Sequence, residues 1–183
     1  MIDMRLSEAA HAMHATLHGT DAQFSGCSTD SRTLSSGALF FALCGEHFDG
    51  HRFIDEAVQR GARGAVVEQE VAAAGLPLLA VPATRQALGQ LAGAWRGRFP
   101  IPLLAVTGSN GKTTVKELLA AIFSPLAPTL VTAGNLNNDI GVPLTLFGLG
   151  SEHRFGVVEM GANHAGEIAA LARLVLPDVA VIT

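Results

Sequence analysis

The chain has 183 residues, of which 49% are apolar and 15% charged, with a formal net charge of −4. That length holds one domain or two small ones around a substantial core. The acidic balance and the lack of a long basic run exclude nucleic acid as the main partner, and no uninterrupted apolar stretch reaches membrane-spanning length.

The N-terminus lacks a basic region followed by an apolar one, so no export signal is read and the cytoplasm is the expected compartment. Cys27 and Cys44 lack metal-ligand spacing and are expected as reduced thiols. Leu6, Ala10, Met13 and Leu17 recur at helical spacing, with Ser7 placed to cap the helix and Gly19 to end it. His11, His14 and His18 fall on the opposite face. A solvated polar surface accounts for them better than a metal site, because no carboxylate or cysteine completes a shell.

Ser28-Thr29-Asp30-Ser31-Arg32 comes next. Its hydroxyls and guanidinium suit a nucleotide diphosphate, and they equally suit a capped turn with a local ion pair. Gly37 through Leu43 reads as a buried strand, followed by a polar loop from Gly45 to His51 and a helix from about Arg52 to Arg60 that Gly61 stops. Short strands are expected at 65–67 and 78–81. Thr84 caps a helix reaching about Arg98, and Pro100 and Pro102 break the chain. The alternation predicts a small α/β domain over residues 1–99.

The second segment, 100–183, carries strands at 103–106, 129–131, 156–159 and 179–182, with helices at 113–123, 142–147 and 167–175 between them. Near-continuous apolar strands alternating with helices predict a mostly parallel sheet covered on both faces. No internal repeat or low-complexity tract appears.

Three constellations carry chemistry. The first is Thr107-Gly108-Ser109-Asn110-Gly111-Lys112-Thr113-Thr114, between an apolar strand and a helix. Glycines there let backbone N–H groups turn inward, and the helix start offers unpaired amides and the positive dipole end to an anion. Lys112 would reach the terminal phosphates of a nucleoside triphosphate and the Thr113 hydroxyl would ligate Mg²⁺. The loop is a shorter variant of the common phosphate loop, with Val106 at the position of the first glycine. The second is the asparagine cluster Asn135, Asn137 and Asn138, also readable as a plain turn. The third is Glu159 at a strand's C-terminal end, placed for Mg²⁺ because a carboxylate there needs a cation. His164 lies just beyond it, as a candidate contact for phosphate, substrate or metal or as a plain loop histidine. The chain stops after an apolar strand, where another functional loop is expected, so a longer protein is anticipated.

In their order, Asp-Ser-Arg, Leu-Phe-Phe-Ala-Leu-x-Gly, Asp-Gly-His and Thr-Gly-Ser-Asn-Gly-Lys-Thr-Thr, these motifs resemble the Mur ligases, ATP-dependent amino-acid ligases of peptidoglycan synthesis. Thr-Ala-Gly-Asn-Leu-Asn-Asn-Asp-Ile-Gly-Val-Pro and Glu-Met-Gly-Ala-Asn-His-x-Gly-Glu-Ile are similar to the branch that adds D-alanyl-D-alanine. The resemblance implies a UDP-substrate domain over 1–99 and an incomplete ATP-binding domain over 100–183. It implies ATP and Mg²⁺ as cofactors, and UDP-N-acetylmuramoyl-tripeptide and D-alanyl-D-alanine as substrates of a cytoplasmic monomer. Lys112, Glu159 and His164 would be catalytic, and Thr107 through Thr114 would hold the nucleotide. Thr113 and Glu159 would hold the metal, and Ser28, Asp30, Ser31, Arg32, Asn135, Asn137 and Asn138 the substrate. The phosphate loop alone is shared with all Mur ligases and with folylpolyglutamate synthase. A nucleotide-binding regulatory module is the reading of another class. A second metal ligand, a carbamylated lysine and a third domain, which the family carries, lie outside this sequence, so the chain by itself is expected not to turn over.

Overall fold

The computed structural model describes residues 1–45, 48–69 and 75–183. The chain divides into two compact units, Met1–Leu91 and Ala92–Thr183. Among the described residues no helix is long and apolar enough to cross a membrane.

In the first unit β1 (Asp3–Arg5) leads into α1 (Leu6–Met13), followed by β2 (Thr16–His18), β3 (Gln23–Ser25) and β4 (Cys27–Ser28). A 3-10 turn at Ser31–Thr33 precedes β5 (Leu39–Phe41), β6 (Cys44–Gly45) and β7 (Phe48–Asp49). A second 3-10 turn, Gly50–Phe53, runs into α2 (Ile54–Gln59), and then come β8 (Gly64–Val67), β9 (Leu78–Ala80) and α3 (Thr84–Arg96), which carries the chain out of the unit. Five strands form a sheet in the order β2-β9-β8-β5-β4, parallel except for β2 against β9. All three β5 side chains and all four positions of β8 are buried, as expected for central strands covered on both faces. Phe40, Ala42, Ala65 and Val67 share one core with Leu34, Ile54 and Ala57.

Two sequence expectations change here. The first helix ends at His14, whose left-handed backbone (φ 53°) stops it, so Leu17 and His18 lie on β2 and the three histidines do not share a helix face. Nor is Ser7 the cap. Asp21, distant in sequence, accepts from both the Ser7 N–H (3.0 Å) and its hydroxyl (2.9 Å) and pairs with Arg5 at 2.7 Å. A side chain brought by tertiary folding thus satisfies an amide at the helix start.

The second unit contains β10 (Leu103–Thr107), α4 (Lys112–Phe123), β11 (Thr129–Val131), α5 (Gly141–Leu146), β12 (Phe155–Glu159), α6 (Glu167–Val175) and β13 (Val179–Ile182). Its sheet order is β11-β12-β10-β13 and every pairing is parallel. The β10 and β12 side chains Leu103, Ala105, Val106, Val157 and Val158 are buried. Parallel strands end together, so the carboxyl ends of β10, β11 and β12 place their following loops on one edge. β13 pairs with β10 at the margin of the described sheet, and its Val179 and Ile182 side chains are exposed.

Arg96 ties this unit's backbone together. Its buried guanidinium donates to the carbonyls of Val175 (3.0 Å), Phe99, Ile101 (3.3 Å) and Leu176 (3.4 Å). Two of these carbonyls close the C-terminal end of α6, where a cation suits the dipole.

Candidate active site

The phosphate-loop sequence adopts the conformation its glycines permit. β10 ends at Thr107, Gly108 takes φ +139° and Gly111 takes φ +78° at the start of α4. No side chain caps α4, so the helix presents its dipole end and first-turn amides to the loop. A Cβ on Gly108 would stand 2.0 Å from the Thr183 carbonyl oxygen, which shows how closely the next strand end approaches. That carbonyl accepts the Ser109 N–H at 3.2 Å, and the Thr183 hydroxyl donates to the Asn110 carbonyl. Lys112 folds back over the loop, its ammonium donating to the Gly108 carbonyl at 2.8 Å. Thr114 is exposed on the first turn of α4.

Glu159 closes β12, directly opposite Val106 of β10, and is only 2% exposed. One carboxylate oxygen accepts the Thr113 hydroxyl at 3.0 Å, and the other accepts the Asn137 side-chain amide at 2.8 Å. Its N–H donates to the Thr132 hydroxyl at 2.9 Å. Both side-chain partners are neutral, and among the described residues no cationic nitrogen pairs with it. A buried carboxylate held this way lacks a countercharge. Octahedral Mg²⁺ with oxygen ligands at about 2.1 Å sets neighbouring ligands about 3.0 Å apart. Thr113 Oγ1 and Glu159 Oε2 stand at that separation. Donor chemistry, spacing and missing charge therefore fit a hard divalent cation.

The asparagines separate by task. Asn137 faces Glu159, and its carbonyl accepts the Gly161 N–H at 2.7 Å. Asn138 turns its side-chain oxygen to the N–H groups of Ile140 (3.2 Å) and Gly141 (2.8 Å), capping the entry to α5. Asn135 is exposed, with its carbonyl accepting from the Asn137 N–H. This loop leaves no room at Gly141, where a Cβ would lie 2.4 Å from the Leu136 backbone. Neither side of that contact is a flexible side-chain end. Gly141→Ala is expected to destabilise the unit by about 2 kcal/mol. For a unit of this size, thermal unfolding followed by circular dichroism should show a midpoint lower by roughly 10 °C.

His164 is exposed. Its N–H and that of Asn163 donate to the Glu167 carboxylate, at 3.2 and 2.7 Å, and its ring makes no hydrogen bond to Thr113, Glu159 or Asn137.

In the first unit, Asp30 and Arg32 form a two-pronged ion pair (2.9 and 2.7 Å), and Asp30 also accepts the Arg32 N–H. The guanidinium beside it holds the Asp30 carboxyl below the usual carboxylate range. Ser28 bonds to the Asp30 backbone from both directions. Ser31, 5% exposed, donates to Glu56 at 2.7 Å. The cluster is thus a capped turn whose Arg32 still reaches solvent. Of the neighbouring 45–51 loop, Glu46 and His47 lie outside the described residues. Asp49 accepts from the His51 N–H (3.0 Å) and from Nδ1 (2.7 Å), and His51 Nε2 accepts the Glu68 N–H at 3.0 Å. Accepting at Nε2 leaves the imidazole proton on Nδ1. Cys44 Sγ lies 3.4 Å from that nitrogen, yet the three groups do not make a free metal shell, because both ring nitrogens are engaged. Burial, then the Glu68 and Asp49 carboxylates, push the Cys44 thiol up.

Comparison with known proteins bears on both units. The Mur ligase family catalytic-domain model matches residues 23–96, and the Mur ligase middle-domain model matches residues 106–183. The chain belongs to the Mur ligase family. Over its whole length this Mur ligase chain is 47% identical, across 182 residues, to UDP-N-acetylmuramoyl-tripeptide–D-alanyl-D-alanine ligase of Escherichia coli K12, and it covers 40% of that protein. The enzyme of the same name from Haemophilus influenzae is 46% identical over 187 residues, and 41% of it is covered. A crystal structure of MurF from Acinetobacter baumannii superposes with a TM-score of 0.93 at 42% identity, over 100% of this chain and 41% of that one. MurF ligase from Thermotoga maritima, solved in complex with ADP, gives 0.77 at 34% identity, over 86% of this chain and 37% of its own. The chain thus spans about two fifths of the relatives it matches.

One residue of this Mur ligase chain, Lys116, was not singled out in the sequence, and Thr132 was singled out there only as the first residue of the asparagine motif. Lys116 is buried on α4 to 1% exposure, and Thr132 is buried at the end of β11. One signal was available for the first: Lys116 follows Lys112 by four residues, so the two stack on one helix face.

Proposed function

We propose that the whole protein is the ATP-dependent ligase that joins D-alanyl-D-alanine to UDP-N-acetylmuramoyl-tripeptide. The observation that carries this reading is the buried Glu159 carboxylate, 3.0 Å from the Thr113 hydroxyl and paired with no cationic side chain among the described residues, beside a glycine loop that ends in Lys112. The names of the relatives, matched over this chain's full length, support this choice of substrates.

A carboxylate is a poor electrophile. Transfer of the ATP γ-phosphoryl group to the terminal carboxylate of the tripeptide releases ADP and gives an acyl phosphate. The D-alanyl-D-alanine amine then attacks the acyl carbon, inorganic phosphate leaves with the bonding pair, and the amine proton passes to solvent or base. The enzyme's part is positioning and charge neutralisation. Lys112 moves from the Gly108 carbonyl to the phosphates, and the loop from Thr107 to Thr114 cradles them. Thr113 and Glu159 would hold Mg²⁺, which when bound neutralises phosphate charge. Asn137 orients Glu159, Asn138 shapes the loop, and Asn135 and His164 face the muramoyl-peptide side. Ser28, Asp30, Ser31 and Arg32 serve the UDP end, with Arg32 as the group able to reach a phosphate. In this reading residues 1–99 form the UDP-substrate domain and 100–183 part of the ATP-binding domain of a cytoplasmic, monomeric enzyme.

The test is ADP release by the whole protein across a panel of acceptors. Release is expected only with the UDP-muramoyl-tripeptide and D-alanyl-D-alanine together. Turnover with a shorter UDP-muramoyl peptide and a single amino acid, or with folate and glutamate, would replace this assignment by another ligase. Tight nucleotide binding without turnover on any acceptor would favour a regulatory module.

A further inference from the structure

The reaction proposed above gives the buried Lys116 ammonium no task. Lys116 sits on the inward face of α4, one turn beyond Lys112, with its ammonium almost wholly out of water. It donates to the Thr132 carbonyl at 3.0 Å and pairs with the exposed Glu117 carboxylate at 2.7 Å. A buried ammonium is costly unless such partners compensate it, and an apolar side chain of similar volume often packs there as well or better. A lysine at this place is therefore better explained by what it holds than by stability.

What it holds is a junction. Thr132 is the first residue past β11. Its N–H donates to the Val157 carbonyl at 3.0 Å, and its hydroxyl accepts the Glu159 N–H at 2.9 Å. The same loop then supplies Asn137, whose amide reaches the Glu159 carboxylate at 2.8 Å. Glu159 is thus fixed through backbone and side chain by one loop, and the root of that loop is tied to α4 by Lys116. Since α4 also carries Lys112 and Thr113, the ammonium couples the helix bearing the hydroxyl to the strand end bearing the carboxylate.

We infer that Lys116 is a positioning residue: through Thr132 it sets Glu159 against Thr113, so that the two oxygens stand ready as neighbouring ligands of one divalent cation. The inference rests on the ligase reading for the cation's role, but the junction can be measured without ligand. Residues that orient metal ligands from behind typically change metal affinity by about 10- to 100-fold.

The experiment compares Lys116→Met with the natural whole protein. In the unliganded state, amide hydrogen exchange at Glu159 is expected to rise about tenfold, while the unfolding midpoint is not lowered. Titration of Mg²⁺ in the presence of a nonhydrolysable ATP analogue should give an affinity about tenfold weaker, with nucleotide binding in the absence of Mg²⁺ unchanged. Natural exchange at Glu159 together with natural Mg²⁺ affinity would overturn the inference. Faster exchange in a protein whose natural form binds no Mg²⁺ would uphold the junction and sink the ligase reading. Should Lys116→Met fail to fold, Thr132→Val carries the test. It keeps the carbonyl that Lys116 uses and removes the hydroxyl that Glu159 uses. Weakened Mg²⁺ binding then supports the coupling, and natural binding contradicts it.

Discussion

Lys112→Ala in the whole protein is expected to lower kcat for ADP release by at least about 10²–10³-fold, the scale on which a fixed charge or donor acts at a developing oxyanion. The fold should be unaffected, because the ammonium's partner in the unliganded structure is a single loop carbonyl, Gly108 at 2.8 Å. That contact is local and forms across one turn of chain. It keeps the ammonium over the loop without burying it in a pair that binding would have to break. Thermal unfolding within a degree or two of the natural protein, with turnover lost, is the expected combination. Turnover within a few-fold of the natural rate would remove Lys112 from the chemistry, however well the loop matches a phosphate cradle.

The second large effect concerns Glu159→Gln. A glutamine keeps the shape and can still meet Thr113 and Asn137, but it carries no charge. Without a cation, the natural carboxylate is a buried charge compensated only by neutral donors, so its neutralisation should leave the unliganded protein as stable as before or more so. With Mg²⁺ and nucleotide the order reverses. The natural protein gains stability by mass action, about 2.7 kcal/mol at a ligand concentration one hundred times Kd, and the variant should lose most of the Mg²⁺-dependent part. Scanning calorimetry with and without Mg²⁺·nucleotide reads both halves. A variant that is less stable when unliganded, yet equally stabilised by Mg²⁺·nucleotide, would assign Glu159 a packing role.

The second unit was largely legible in the sequence, and the reason is physical. Buried parallel strands are short continuous apolar runs bounded by glycine and proline, and β11, β13 and α6 fall where that pattern places them. The phosphate loop was legible for a related reason: glycines at 108 and 111 take positive φ, and a lysine directly at a helix start has few other uses. What the sequence hid was partnership over distance. Nothing local announces that Asp21, not Ser7, satisfies the start of α1, or that a left-handed His14 ends it. The asparagine cluster read as one set of ligand groups, yet Asn138 spends its side chain capping α5 and Asn137 turns to Glu159. Ser31 looked available and is buried on Glu56, twenty-five residues away. The four-residue spacing from Lys112 put Lys116 on the same helix face but did not show it buried, because a lysine on a helix is ordinarily solvated. Only the approach of Thr132 shows that this one is not.

A crystal structure of the whole protein with Mg²⁺ and a nonhydrolysable ATP analogue tests the Thr113–Glu159 site most directly. A cation is expected about 2.1 Å from Thr113 Oγ1, neighboured by the Glu159 carboxylate, with Lys112 turned from the Gly108 carbonyl to the terminal phosphates. A triphosphate bound elsewhere, or a cation that leaves Thr113 still donating to Glu159 as it does now, would contradict this arrangement.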